Sequence, residues 1–219
     1  MVELANAAVV AILTRAPSSG GKSRLFAALG RPPDAALLSA LLLDTIDGVR
    51  ALGVAPILAV EPPDARDEVR ALVPDVAVIA QTSGTLGERM RAVMQEVLAR
   101  GARAVLLVGS DLPDLRPRLV IDAFAALDAD RDALVIGPSH DGGYYLIGAS
   151  AVPAVFDDVE WGSDRVLAQT IAAAERQSLK VRLLDPIGDV DTVDDLRRVQ
   201  APRTRSWWRA HQARRSPRA

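Results

Sequence analysis

The sequence contains no cysteine, only two lysines and no long run of apolar residues. Without cysteine the chain has no disulfide, no thiolate metal site and no cysteine nucleophile. A membrane helix needs a run of about 18 or more apolar residues, so we expect no transmembrane span. The first residues, MVELANAAVVAIL, lack the basic leader of a signal peptide. We therefore expect a cytoplasmic protein.

The charged residues are unevenly distributed along the chain. Residues 201–219, the tail, contain six arginines and no acid, which leaves 20 basic against 28 acidic residues in 1–200. An acidic body argues against nucleic acid as the main partner. We expect the tail to be a disordered, solvated extension. The alternative is that its arginines, with Trp207 and Trp208, bind an anionic membrane surface or a partner.

Apolar strands alternate with amphipathic helices, which predicts a single α/β domain over residues 1–200. Continuous apolar strands are typical of a parallel sheet with helices on both faces, a three-layer α/β/α architecture. The segment DGGYYLIGAS alternates loosely and predicts an antiparallel edge strand. The predicted strands are 7–13, 54–60, 76–80, 104–109, 133–137 and 181–184, and the predicted helices are 22–29, 34–52, 66–72, 86–100, 118–127, 164–177 and 193–199.

Three loops follow predicted strands at one edge of this sheet: 14–21, 110–114 and 138–143. Right-handed crossovers bring the carboxyl ends of parallel strands to the same edge. Ligands of open α/β sheets bind there. Functional residues are therefore expected in these three loops.

The first loop, TRAPSSGGKSRL, combines glycines with basic residues. Gly20 and Gly21 allow backbone N–H groups to approach an anion. Lys22 and Arg24 can reach phosphate oxygens, and Arg15 adds a bidentate guanidinium. The loop is therefore a candidate phosphate site. The alternative is a flexible loop whose basic residues are solvated.

The second loop, GSDLPDLRP, ends the most apolar strand on carboxylates. Asp111 comes first, where its carboxylate faces a ligand at the sheet edge, and Mg²⁺ in proteins is held by one or two carboxylates. Asp114 lies just before a predicted helix, and we expect it to be the N-cap. The alternative is that both are turn residues.

The third loop, GPSHDGGYYLIG, carries an acid followed by two glycines. Gly142 and Gly143 indicate either close approach of a ligand to the backbone or a bulge. His140 and Asp141 are a candidate acid/base pair, although a lone loop histidine is more often a surface residue. Tyr144 and its neighbour point to opposite faces of a strand, so at most one of the two lines the site.

A fourth segment, GDVDTVDDL, contains closely spaced acids. Asp189 and Asp191 share one side of an extended segment and repel each other unless a cation lies between them. Thr192 and Asp195 form a predicted capping pair. A basic glycine loop and carboxylates at one sheet edge together suit a nucleoside diphosphate or triphosphate with a divalent metal.

Six motifs occur in the order typical of a known bacterial family: GKSRL, TLGERM, VGSDLPDL, GPSHDGGYYLIG, VEWGSDRVLAQT and DVDTVDDL. Over residues 7–200 the chain resembles the small glycosyltransferase-A-like proteins of the DUF2064 group, some of which are arsenosugar-biosynthesis glycosyltransferases. It is more distantly similar to molybdenum-cofactor and 2-phospholactate nucleotidyltransferases.

The resemblance implies a nucleotide-diphospho-sugar transferase fold of the GT-A type with Mg²⁺ or Mn²⁺ as cofactor. In that family the first loop grips the nucleotide phosphates, and the acid after the fourth strand binds the metal. Here these are Arg15, Gly20, Lys22, Arg24 and the acid Asp111. In the nucleotidyltransferase relatives a late Asp-x-Asp also holds metal, which here means Asp189 and Asp191.

We expect a metal-dependent glycosyltransferase that moves a sugar from a nucleotide sugar to a small-molecule acceptor. The alternative is a nucleotidyltransferase that uses a nucleoside triphosphate and releases pyrophosphate, and a third class is a binding protein without turnover. Lys22 and Asp141 are the expected catalytic residues. The expected acceptor-binding residues are His140, Gly142, Gly143, Tyr144 and Trp161.

Overall fold

A computed structural model describes residues 4–54 and 56–215, and for 213–215 it describes the backbone alone. Seven strands form one sheet in the order β3-β2-β1-β4-β6-β5-β7. The strands are β1 Ala8–Arg15, β2 Pro56–Glu61, β3 Ala77–Ala80, β4 Ala104–Gly109, β5 Ala133–Pro138, β6 Tyr144–Ala149 and β7 Lys180–Leu183. All run parallel except β6, which is antiparallel to both neighbours.

Helices cover both faces of the sheet, as predicted. They are α1 Ser23–Ala28, α2 Ala35–Arg50, α3 Arg66–Leu72, α4 Leu86–Ala99, α5 Pro117–Ala129, α6 Val166–Arg176, α7 Val193–Arg198 and α8 Pro202–Arg215. Alternate residues of β1 separate into two cores: Val10 and Ile12 pack with α2 and α5, whereas Val9 and Ala11 pack with α4 and α6. Because successive side chains of a strand point to opposite faces of the sheet, β1 contributes apolar residues to the cores on both faces.

The antiparallel strand lies inside the sheet, so the prediction of an edge position was wrong. β6 pairs with β4 through Val105–Val108 and with β5 through Val135–Pro138, and the loop 139–143 connects β5 to β6. Its residues are buried on both faces, whereas β7, one of the two edge strands, is largely exposed. The three glycines and two tyrosines of DGGYYLIG weaken the apolar pattern of this segment, which made it resemble an edge strand.

The tail is not disordered where the structure describes it, which corrects a second prediction. Residues 202–215 form α8, and Trp208 is buried with Leu37, Leu41 and Leu196. Asp44 of α2, itself buried, accepts a hydrogen bond from the backbone N–H of Thr204 at 2.8 Å. Arg203 and Arg209 are exposed, whereas Thr204, Trp208 and His211 are buried, so this helix has one buried face. The high arginine content of the tail hid that face from an interpretation based on composition.

Asp114 also holds the start of α8 and does not cap α5. The N-cap position of α5 is Arg116, which makes no side-chain capping bond. The Asp114 carboxylate instead accepts hydrogen bonds from the backbone N–H groups of Gln200 at 2.9 Å and Ala201 at 2.8 Å. A cap predicted for the adjacent helix thus serves a helix more than 80 residues later in the chain.

Candidate active site

The carboxyl ends of β1 and β4 and the segment 185–191 meet at one edge of the sheet. The backbone carbonyl of Asp111 accepts a hydrogen bond from the N–H of Val190 at 3.1 Å. The hydroxyl of Tyr145 donates to the carbonyl of Asp185 at 3.1 Å and holds the beginning of the same segment. These bonds bring Asp189 and Asp191 beside Asp111, a contact between residues nearly 80 positions apart.

Three carboxylates form an acidic cluster at this edge. One oxygen from each of Asp111, Asp189 and Asp191 lies within 4.8 Å of the others. Burial, and next the negative charge of Asp111, raise the pKa of Asp189 to about 6. Hard oxygen donors at this spacing suit Mg²⁺ or Mn²⁺ and not a thiophilic metal. The residues therefore fit the divalent metal that the sequence predicted.

Gly109 explains how the carboxylate of Asp111 fits at the end of β4. A Cβ atom on Gly109 would lie 2.5 Å from Oδ1 of Asp111. A larger residue at this position would require the Asp111 carboxylate to move. The glycine that ends the apolar run AVLLVG thus makes room for the acid two residues later.

The Lys22 side chain reaches into the acidic cluster. Its ammonium forms ion pairs with Asp111 and Asp191 and lies 3.7 Å from Asp189. Burial alone would lower the pKa of Lys22, but the three carboxylates outweigh it and raise the pKa above its ordinary value. The ammonium is therefore charged and acts as the counter-ion of the cluster.

The predicted phosphate residues divide between two cavities. Arg15, Gly20, Gly21 and Lys22 line a small cavity of about 210 Å³, together with Ser110 and Asp111. Arg15 also pairs with Glu61 at 3.3 Å. Arg24 instead lines a larger cleft of about 440 Å³, and Asp111 lines both this cleft and the small cavity.

Aromatic and acidic side chains line this larger cleft. Tyr144 and Trp161 meet edge to face, with ring centroids 6.4 Å apart and an interplanar angle of 84°. Trp161 is held against α4, because a Cβ on Gly87 would lie 2.7 Å from its ring. The cleft reaches the acidic cluster; its other lining residues include Leu86, Asp111, Asp141, Gly143, Asp164, Asp189 and Asp191.

Asp141 lines the cleft but is engaged in its own turn. Its carboxylate accepts hydrogen bonds from the Ser139 hydroxyl and from the backbone N–H of Gly143. The Ser139 hydrogen bond is the largest contribution that lowers the pKa of Asp141. His140 lines a separate cleft beside Gly188, so the structure does not place the two residues as an acid/base pair.

Gly142 packs against the protein itself and does not line the cleft. Its φ is 89°, and its carbonyl accepts a hydrogen bond from the N–H of Leu167 at 2.9 Å. A Cβ atom there would lie 2.2 Å from the backbone oxygen of Asp164. Of the two glycines, only Gly143 faces the cleft.

We expect Gly142→Ala to lower the free energy of unfolding by about 2 kcal/mol. The new methyl group meets backbone, which no side-chain rotation relieves, and the positive φ adds strain. Gly162→Ala is the matched control, because its φ is 86° but no atom lies within 4 Å of the added Cβ. Urea unfolding of both variants measures the difference. Equal losses would show that the contact with Asp164 has no energetic role.

A polar network behind the phosphate loop was not predicted. The carboxylate of Glu61 bridges Arg15 and Arg89, and the buried amide of Gln81 donates to the carbonyls of Thr14 and Ala59. Glu61 is the last residue of β2, and Asp111 lies two residues after the end of β4. An acid at the carboxyl end of an apolar strand was therefore the sequence signal that could have identified Glu61. At the other end of the site, Thr192 and Asp195 form the predicted capping box of α7.

The chain also matches a known protein family. The model of a family described as "Uncharacterized protein conserved in bacteria (DUF2064)" matches residues 45–163. The chain belongs to the DUF2064 family. The resemblance drawn from the motifs is thereby confirmed. No curated protein matches the sequence of this DUF2064 protein.

Solved structures share the fold of this DUF2064 protein. A Desulfovibrio desulfuricans G20 protein, described as a candidate nucleotide-diphospho-sugar transferase, is 32% identical, with a TM-score of 0.81 over 94% of this chain and 97% of that one. The fold is therefore that of nucleotide-diphospho-sugar transferases, as predicted.

Two more distant structures have the same fold. A CMP:2-keto-3-deoxy-manno-octonic acid synthetase complexed with CTP is 15% identical, with a TM-score of 0.57 over 96% of this chain and all of that one. Rv0371c from Mycobacterium tuberculosis H37Rv, in complex with manganese, is 22% identical, with a TM-score of 0.52 over 89% of this chain and 97% of that one.

In the described part of the chain, no helix has the length and apolar character needed to cross a membrane.

Proposed function

We propose that this DUF2064 protein is a metal-dependent transferase that moves a sugar from a nucleoside-diphosphate sugar to a small-molecule acceptor. The observation that carries the proposal is the position of the acidic cluster. It lies between the small cavity lined by Arg15, Gly20 and Gly21 and the larger cleft lined by Tyr144 and Trp161. A diphosphate in the small cavity and an acceptor in the cleft would meet at the carboxylates. The 32% identical candidate transferase supports the same class of enzyme.

The chemistry of sugar transfer fits the charges of this site. The acceptor oxygen forms a bond to the anomeric carbon, the bond from that carbon to the phosphate oxygen breaks, and the nucleoside diphosphate leaves with the electron pair. A divalent metal, when bound by Asp111, Asp189 and Asp191, would supply charge neutralisation for this leaving group. Arg24, which lines the cleft, and Arg15, which lines the small cavity, would bind phosphate oxygens through their guanidinium groups.

Asp141 is the proposed acceptor of the hydroxyl proton. It lines the cleft, and its hydrogen bonds with Ser139 and Gly143 fix the carboxylate in one orientation. The same bonds lower its pKa, so it is ionised at neutral pH and is a weak base. A weak base suffices where the proton leaves late, after the sugar–phosphate bond is largely broken.

A second candidate function is nucleotidyl transfer from a nucleoside triphosphate. The observation that favours it is the set of three carboxylates with Lys22 among them, because phosphoryl transfer depends on positioning and charge neutralisation. A structure with the same fold holds CTP. In this reaction the acceptor oxygen attacks the α-phosphorus and pyrophosphate leaves.

Identifying the released product separates these functions. The protein is incubated with Mn²⁺ and either nucleoside-diphosphate sugars or nucleoside triphosphates, with a pool of small hydroxyl and phosphorylated acceptors. We expect a nucleoside diphosphate, formed from the nucleotide sugar and abolished by EDTA. Pyrophosphate from a triphosphate would establish the second function instead. Tight nucleotide binding without either product would favour a binding protein.

A further inference from the structure

The position of the Lys22 ammonium within the acidic cluster has a consequence for metal binding. The nitrogen contacts oxygens of Asp111 and Asp191 and lies 3.7 Å from an oxygen of Asp189. These are the three residues whose oxygens lie within 4.8 Å of one another. The ammonium therefore occupies the space between the carboxylates that would bind the metal.

We propose that Lys22 is an internal substitute for the metal, that a divalent cation displaces it, and that the freed side chain then binds phosphate in the adjoining small cavity. This inference rests on the proposed function, because it requires the acidic cluster to bind metal. Under it, Lys22 is a positioning residue in the metal-free protein and contacts substrate only after metal has bound.

Electrostatics makes the two cations mutually exclusive. A monovalent and a divalent cation held by the same three carboxylates would be a few ångströms apart, where their repulsion is strong in a partly buried site. Since a divalent ion interacts more strongly with the carboxylates, it displaces the ammonium. The ammonium then needs another anion.

The loop geometry gives Lys22 an alternative position. Lys22 lines the small cavity as well as contacting the acidic cluster, so its long side chain needs only to swing from one to the other. Arg15, Gly20 and Gly21 line the same cavity. Phosphate oxygens there would meet one fixed cation, Arg15, before metal binds and a second, Lys22, afterwards.

Metal and phosphate binding are therefore coupled through Lys22. A ligand that must displace an occupant binds with an affinity reduced by the fraction of protein that is free of it. By linkage, phosphate in the small cavity draws Lys22 away and strengthens metal binding by the same factor. We expect metal to bind before the nucleotide at low nucleotide concentration.

The first test measures Mn²⁺ affinity in the full chain by electron paramagnetic resonance. We expect Lys22→Met to bind Mn²⁺ about 10-fold more tightly than the wild type, because the competing ammonium is gone. Lys22→Arg retains a cation and should bind like the wild type. Lys180→Met is the matched control, since Lys180 pairs with Asp130 at 2.8 Å on the surface. Equal or weaker binding by Lys22→Met would overturn the inference.

The second test needs no variant, because the chain has only two lysines. With ¹³Cε- and ¹⁵Nζ-labelled lysine, the spectrum contains one set of signals for Lys22 and one for Lys180. We expect Mg²⁺ to shift the Lys22 signals and to leave those of Lys180 unchanged. If the Lys22 ion pairs were merely structural, Mg²⁺ would not shift the Lys22 signals. Inorganic pyrophosphate added after Mg²⁺ should shift Lys22 again.

The outcomes separate this inference from the proposed function. Mn²⁺ that binds the wild type and Lys22→Met with equal affinity, with Lys22 signals unmoved by saturating Mg²⁺, refutes the role of Lys22 and leaves the metal site intact. The absence of Mn²⁺ binding in every variant refutes both.

Discussion

Asp111→Asn is expected to lower turnover by about 10²-fold or more, by analogy with the loss of one preorganised charge-stabilising group. Asp111 supplies an oxygen to the acidic cluster, and the absence of a Cβ at Gly109 leaves space for its carboxylate. Asparagine has the same shape but lacks the charge. The measurement is the rate of product release with saturating Mn²⁺, together with the Mn²⁺ dissociation constant.

The matched control for this change is Asp114→Asn, the same substitution three residues later in the same loop. Asp114 contacts the backbone of Gln200 and Ala201 and does not line the larger cleft. It should therefore retain turnover and lose about 1 kcal/mol of stability through a weakened hold on α8. If both variants lost activity equally, the division of roles between the two aspartates would be wrong.

Asp44→Ala is expected to lower the free energy of unfolding by about 3 kcal/mol. The Asp44 side chain is 1% exposed and accepts hydrogen bonds from the backbone N–H groups of Arg203 and Thr204 and from the Arg203 guanidinium. Its removal leaves two N–H groups in the first turn of α8 without an acceptor. The helix then separates from α2 more readily.

Urea unfolding followed by tryptophan fluorescence measures this loss, since Trp207 and Trp208 lie on α8. Asp47→Ala is the control: Asp47 also pairs with Arg203, but its side chain is 48% exposed, so the loss should be below about 1 kcal/mol. Asp44→Asn keeps one acceptor and should fall between them. An unfolding midpoint of Asp44→Ala equal to that of the wild type would contradict the docking of α8 through this carboxylate.

Several elements could be predicted from local sequence because local rules determine them. The strand Ala104–Gly109 was predicted with its observed bounds, since an apolar run ended by turn residues has few other interpretations. The capping pair Thr192 and Asp195 was predicted correctly because the residues that form it are three positions apart.

Long-range partners were less predictable. Asp114 looks like a cap for the helix that follows it, and nothing nearby in the sequence indicates Gln200 and Ala201 as its partners. Gly142 looks like a ligand contact, but the backbone it approaches belongs to Asp164. Asp114 does cap the start of a helix, and Gly142 does lie in close contact with backbone, as their residue types suggest. Their partners, however, are determined by how distant segments of the chain pack together.

The sequence alone determined the alternation of strands and helices and the edge of the sheet at which Arg15, Lys22 and Asp111 lie. These follow from periodicity and from the rule that parallel strands end at one edge. Only the tertiary structure decided that β6 lies inside the sheet, that the tail docks as α8, and that Lys22 lies among Asp111, Asp189 and Asp191. The physical reason is the same for all three: strand order, helix docking and ion pairing depend on which distant surfaces meet, and a local pattern contains no information on that.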